Sequence, residues 1–174
     1  MIMNAAERRN TIRNILACSD TPVSAASLAA RLGVSRQVIV GDVALLRASG
    51  ENISATPRGY VVGGHSIGLK RTVACVHTLE GMEDELLIMV DNGCTVLDVI
   101  IEHPVYGQLT GELCLSSRYD VRQFADRLIN EGASPLSALT GGIHLHTLLC
   151  PDNAAFERTR SALSAAGFLL PDND

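Results

Sequence analysis

The chain has 174 residues, room for one medium domain or two small ones, and its 47% hydrophobic and 19% charged content is that of a folded globular protein, not a disordered one. No apolar run approaches the ~20 residues that cross a bilayer, and MIMNAAERRN leads into no signal-type core, so the protein is expected to be soluble and cytoplasmic. The net charge of −5 is unevenly spread: residues 1–70 hold eight Lys/Arg against four acids and residues 71–174 six against fifteen, a basic third joined to an acidic remainder. That asymmetry suits a nucleic-acid reader fused to another function. With 3% aromatics and no Trp, a stacking platform for single strands is not expected. The five cysteines are odd in number and form no CxxC pair, which suits reduced, mostly buried thiols better than disulfides or a thiolate metal site.

The first helix is expected from Ala5 to Cys18, with Ile12, Ile15 and Leu16 as its buried stripe. Thr21-Pro22-Val23-Ser24 breaks the pattern and supplies an N-cap for a second helix, Ala25 to Leu32, that Gly33 ends. Ser35 can cap a third helix, Arg36 to about Ala48, which buries Ile39, Val43 and Leu46. The three-residue turn Gly33-Val34-Ser35 is helix-turn-helix spacing, and it leaves Arg36, Gln37, Val40, Ala44 and Arg47 on the open face. A helix held this way lays its first residues in the major groove, where Arg36 and Gln37 can read base edges. Gly41 interrupts the helix and forgoes a polar contact, which shifts weight to Arg36, Arg47 and Arg58. Next, Ile53–Ala55 and Tyr60–Val62 flank Thr56-Pro57-Arg58-Gly59 as a hairpin whose tip offers Arg58 to phosphate. The stretch LAARLGVSRQVIVGDVALLR resembles the winged helix-turn-helix of many bacterial repressors, which implies duplex DNA as partner and Ser35, Arg36, Gln37, Val40, Arg47 and Arg58 as its contacts. The DNA-binding domain is assigned to residues 1–63.

Gly63–Gly68 reads as a hinge, with His65 a solvated loop residue inside it. A second domain is assigned to residues 71–174. Its expected elements are a strand Arg71–His77, a helix Leu79–Asn92, strands Thr95–Glu102 and Leu109–Leu115, a helix Asp120–Glu131, a strand Ile143–Leu149 and a helix Asn153–Ala166. The order β-α-β-β-α-β-α predicts an α+β fold with a ferredoxin-like, split-βαβ sheet. There the first and fourth strands are antiparallel neighbours. The end of the first carries His77; the start of the fourth carries His144 and His146, which share one face at i and i+2. Three imidazoles then meet at one rim, with Glu85 of the intervening helix above them. Such a set suits one Zn²⁺ or Ni²⁺ per chain, held by nitrogen and oxygen only.

His77 with Glu85, the segment EHPVYGQL, then SSRYDV and LTGGIHLHTL resemble the 3H domain, a family of small ligand-sensing domains. Joined to the helix-turn-helix, they make the chain similar to the niacin-responsive repressors of NAD biosynthesis from about residue 5 to 170. The resemblance implies a homodimeric repressor that answers to nicotinate and carries its metal ligands on His77, Glu85, His144 and His146. His103 is either a turn histidine or part of an effector pocket, and Tyr106 shares that ambiguity. Arg118 can fork onto an effector carboxylate or pair with Asp120 or Asp126. Two other readings remain at this point: a regulator for which metal itself is the effector, and a small metal-dependent hydrolase in which an open metal position activates water.

Overall fold

The computed structural model describes residues 3–19, 21–63 and 68–171; His65 and most of the expected hinge lie outside them. The chain divides into two compact units, Met1–His65 and Ser66–Asp174. Among the described residues no helix is long and apolar enough to cross a membrane.

The first unit contains α1 (Ala5–Ala17), α2 (Ala25–Leu32), α3 (Arg36–Ala48), β1 (Ile53–Thr56) and β2 (Gly59–Val62). Side-chain caps write its helix starts. Asn4 and Glu7 form a reciprocal capping box on α1, Ser24 Oγ accepts from Ser27 N at 3.0 Å, and Ser35 Oγ accepts from Val38 N at 3.3 Å. The helices close over Ile12, Leu16, Leu28, Ile39, Val43 and Leu46, with Val23 and Ile53 completing the core. Val23 and Tyr60 exchange two backbone hydrogen bonds, of 3.0 and 2.9 Å, which tie the β1–β2 hairpin to the α1–α2 loop. The helical stripe read from sequence omitted Asp42. It is buried, and Arg8 forks onto it at 2.5 and 3.3 Å while Arg9 approaches to 3.5 Å, so α3 is fastened to α1 by charge as well as by apolar contact.

The second unit contains β3 (Leu69–Val76), α4 (Met82–Asp91), β4 (Thr95–His103), β5 (Gly107–Leu115), α5 (Arg118–Asn130), β6 (Ile143–Cys150) and α6 (Asn153–Ala165). Short 3-10 segments precede α4 (Leu79–Gly81) and β6 (Leu136–Thr140). The α+β class and the pairing of first and fourth strands are as expected: β3 runs antiparallel to β6, and every neighbouring pair in the sheet is antiparallel. The order differs from the ferredoxin-like one, which puts its first and third strands in the centre. Here it is β3-β6-β4-β5, with the fourth and second strands inside. Composition is consistent with this order. β4 and β6 carry apolar residues on both faces, beside Asp98, His144 and His146, whereas β3 opens on exposed Lys70, Arg71 and Thr72, and β5 carries exposed Gln108, Thr110 and Glu112, polar groups that an edge strand tolerates. The free edge of β3 is partly covered by the end of the chain, where Val76 N donates to Phe168 O and Leu170 N to Ala74 O, each at 2.9 Å.

Leu86, Met89 and Val90 of α4, Val121 of α5, and Ala155, Phe156 and Leu163 of α6 pack with Val73, Val96, Leu113, Leu115 and Leu148 of the strands in one core. The outer face of β6 keeps Ile143 and Leu145 exposed, at 49% and 37%.

Candidate functional site

In the first unit each of the expected DNA contacts is exposed. Ser35, the N-cap of α3, and Arg36, Gln37, Val40 and Arg47 within it are all exposed, opposite the buried Ile39, Val43 and Leu46. Arg58 is exposed in the hairpin turn, where Thr56 Oγ1 accepts from its backbone N at 3.2 Å. A helix N-terminus and a hairpin tip that both expose arginine are elements that can enter a groove and grip its phosphates.

In the second unit the register places His144 opposite Cys75 and His146 opposite Val73, so the inward face of β6 meets the end of β3. His77 lies just beyond β3. Gly142 fixes the approach: at φ +93° it lies so close to the His77 carbonyl that a Cβ there would collide with it. The expected helix over 79–92 is broken at Gly81, where a side chain would crowd the His77 ring and Phe168. The α-helix starts at Met82, and Glu85 falls in its first turn. From there it points down into the imidazoles.

The four expected ligands converge. His77 Nε2 is 2.7 Å from Glu85 Oε2, His144 Nε2 is 3.2 Å from Oε1, and His146 Nε2 is 3.4 Å from Oε2. Glu85 is fully buried, and each of the three rings has a side-chain exposure of 4% or less. Every ring is also held from behind: Nδ1 of His77 lies 2.6 Å from Thr78 O, Nδ1 of His144 2.8 Å from Gly142 O, and Nδ1 of His146 2.6 Å from Asp98 O. A carbonyl only accepts, so each Nδ1 carries the proton and donates. In the neutral rings Nε2 then bears a lone pair, and three lone pairs face a carboxylate. Acceptors gathered so closely need protons or a cation among them.

The electrostatics follow from this crowding. Burial opposes ionisation of Glu85, but the hydrogen bonds of His144, His146 and His77 outweigh it and hold the carboxyl far below its usual range. Burial likewise opposes the charged form of His77, yet the hydrogen bond and charge of Glu85 prevail and its pKa is raised. The donor set fits a divalent cation: imidazoles fixed through Nδ1 with Nε2 free, plus one carboxylate, are the pattern of a metal shell supported from behind. The sequence reading kept sulfur out of this place. The structure puts Cys75 there, with its Sγ, a Glu85 oxygen and a His144 nitrogen within 4.8 Å of one another. A signal was available, since Cys75 precedes His77 by two residues on the expected strand.

Of the residues expected around an effector, His103 and Tyr106 meet, their ring centroids 5.0 Å apart, whereas Arg118 lies elsewhere. His103 ends β4 opposite Gly107, at the sheet end where His144 lies, and Tyr106 is 75% exposed in the following turn. The His103 Nδ1 accepts from Val105 N and Tyr106 N at 3.2 and 3.3 Å, so it also serves the turn. Arg118 follows β5 at the opposite end, where Leu115 pairs with Val96. Its partner is neither Asp120 nor Asp126: the guanidinium forks onto Asp91, at the end of α4, at 2.6 and 2.5 Å. Asp120 instead accepts from Ser116 N and Oγ at 3.0 and 3.1 Å, holding the turn before α5.

Comparison with known proteins agrees with this division. Residues 8–61 match the HTH domain family and residues 70–172 the 3H domain family. The chain is 47% identical over 166 residues to the probable transcription repressor NiaR of Thermotoga maritima, covering 95% of each protein. It is 42% identical over 171 residues to the transcription repressor NadR of Bacillus subtilis, covering 96% of this chain and 95% of that one.

Proposed function

Because the chain belongs, over nearly its whole length, to the family of transcription repressors that join an HTH domain to a 3H domain, we propose that it is a cytoplasmic, homodimeric repressor whose operator binding responds to nicotinate and whose 3H unit holds one divalent metal. The target genes are those of niacin uptake or NAD synthesis. In the first unit, Arg36 and Gln37 at the start of α3 read bases, while Arg47 and Arg58 bind phosphate.

One observation carries the sensor half of the reading: three imidazoles, each tied through Nδ1 to a backbone carbonyl, aim Nε2 at the buried carboxylate of Glu85. His77, Glu85, His144 and His146 would hold Zn²⁺ or Ni²⁺, which would supply a fixed positive charge that binds the end of β3, the start of α4 and the start of β6 together. These side chains have almost no exposed surface, which favours an organising role over one in which water is activated for turnover. The effector is assigned to the same end of the sheet, beside His103 and Tyr106. Arg118, engaged with Asp91 at the other end, is left out of that pocket. The exposed Ile143 and Leu145 on the outer face of a central strand support self-association through the 3H unit.

A gel shift on DNA upstream of niacin or NAD genes tests the reading. Nicotinate is expected to move the binding midpoint of the metal-loaded protein, and chelation to remove that response. An unchanged midpoint with nicotinate present would leave the HTH assignment standing and sink the effector.

A further inference from the structure

Cys75 lies on β3 two residues before His77, which follows the strand, and its Sγ, a Glu85 oxygen and a His144 nitrogen lie within 4.8 Å of one another. It is directly opposite His144 in the β3–β6 ladder, and it is fully buried. Charge makes its position consequential. Three neutral imidazoles and the Glu85 carboxylate leave a divalent ion with one uncompensated positive charge, enclosed by rings that are 4% exposed or less. An unpaired buried charge is strongly disfavoured. Asp98, whose carbonyl holds His146, uses its own carboxylate on Thr147 N at 2.9 Å. A thiolate at Cys75 brings the balance to zero.

We propose that Cys75 is a thiolate ligand of the metal, so that the centre is a mixed nitrogen, oxygen and sulfur site. This rests on the metal reading above and changes its donor chemistry. On metal binding the sulfur–metal bond forms and the S–H proton leaves to solvent, because a coordinating thiol is deprotonated outright. Sulfur is a soft donor, so the site favours Zn²⁺ or Co²⁺ over Mg²⁺ or Mn²⁺.

The full chain loaded with Co²⁺ tests this by absorption. Bound Co²⁺ gives visible d–d bands whatever its donors, while a sulfur ligand adds a near-ultraviolet charge-transfer band. Wild type is expected to show both. Cys75→Ser is expected to keep the visible bands, lose the charge-transfer band, and bind at least about ten-fold more weakly. Visible bands alone in wild type overturn the proposal and leave the histidine–glutamate site intact. Neither set of bands overturns that site as well. A charge-transfer band that survives in Cys75→Ser assigns sulfur to another cysteine and is equally fatal. Should the variant not fold, X-ray absorption of the Zn²⁺-loaded protein with exposed Cys18 changed to serine decides. One sulfur at about 2.3 Å beside lighter atoms at about 2.0–2.1 Å upholds the proposal, and light atoms alone reject it.

Discussion

At the scale of single residues, the buried cluster places protons and metal in competition for the same nitrogen. Glu85 raises the pKa of His77 above its ordinary 6.5, so without metal the ring contributes stability that is fully present below that value. The contribution is lost as pH rises through the raised folded value. Glu85 has the opposite sign: its depressed folded pKa stabilises above the ordinary 4.5 and ceases to do so as pH falls toward the folded value. Metal reverses the alkaline limb, because it needs Nε2 unprotonated. In chelator, the unfolding midpoint of the 3H unit is therefore expected to fall from about pH 6 to 8, and with excess Zn²⁺ to rise over the same range. Parallel curves in a thermal melt followed by circular dichroism would show that no metal competes at His77. Metal affinity should start to weaken at a higher pH than an unperturbed histidine would give, since the proton is held more tightly there.

Among the elements, α3 makes the most specific demands on chemistry. Arg36→Ala is expected to weaken operator binding by ~1–3 kcal/mol and to relax preference at one base position, as the loss of a base-edge contact does. Arg58→Ala should weaken binding on all sequences and reduce its salt dependence. Equal loss on operator and random DNA for Arg36→Ala in a competition gel shift would move base reading off this helix. Gly41 lies on the same open face with nothing within 4 Å of where a Cβ would stand. Gly41→Ala should stabilise the first unit by about 1 kcal/mol in urea unfolding, and a loss of stability there would mean a constraint this surface does not show. Elements of this kind were legible in the sequence because their limits are local chemistry: Ser24, Gly33 and Ser35 write the bounds of α2 and α3 directly. The meeting of His77 with His144 was legible too, since any sheet that pairs first and last strands brings those positions together. Strand order was not, because the same β-α-β-β-α-β series with the same first–fourth pairing admits either order, and the polar residues of β3 and β5 favour the observed one only weakly. The pairs Arg8–Asp42 and Arg118–Asp91 join residues 34 and 27 positions apart, and no local pattern specifies which helices pack against each other. Cys75 is less legible for another reason: the five cysteines form no motif among themselves, and its place at the site follows only from its strand's pairing with His144.

At the scale of the whole molecule, each unit has its own apolar core, and the basic and acidic parts of the chain divide near the same place. DNA binding and sensing should thus be separable by mutation in the second unit. The simplest choice, truncating His144 and His146 together to alanine, removes two of the three partners of a buried carboxylate, and breaking a buried pair typically costs ~3–5 kcal/mol. That variant risks unfolding the unit it is meant to probe. His146→Gln removes one ligand nitrogen but keeps volume and polarity, and Glu85→Gln removes the charge that makes the vacancy costly. The expected result for the combined His146→Gln, Glu85→Gln protein is loss of stoichiometric metal by mass spectrometry under native conditions and loss of the nicotinate effect on operator binding. Its basal operator affinity and its mass by light scattering, twice that of one chain, should match wild type, because α3, the hairpin and the exposed Ile143–Leu145 face are untouched. Two outcomes would count against this picture in different ways. A full nicotinate response without metal would make the cluster an internal ion-pair network with no part in sensing, and would leave His103 and Tyr106 as the residues to change next. A wild-type mass of one chain at micromolar concentration, unchanged on DNA, would remove the dimer, and with it the palindromic operator that two-fold symmetry requires.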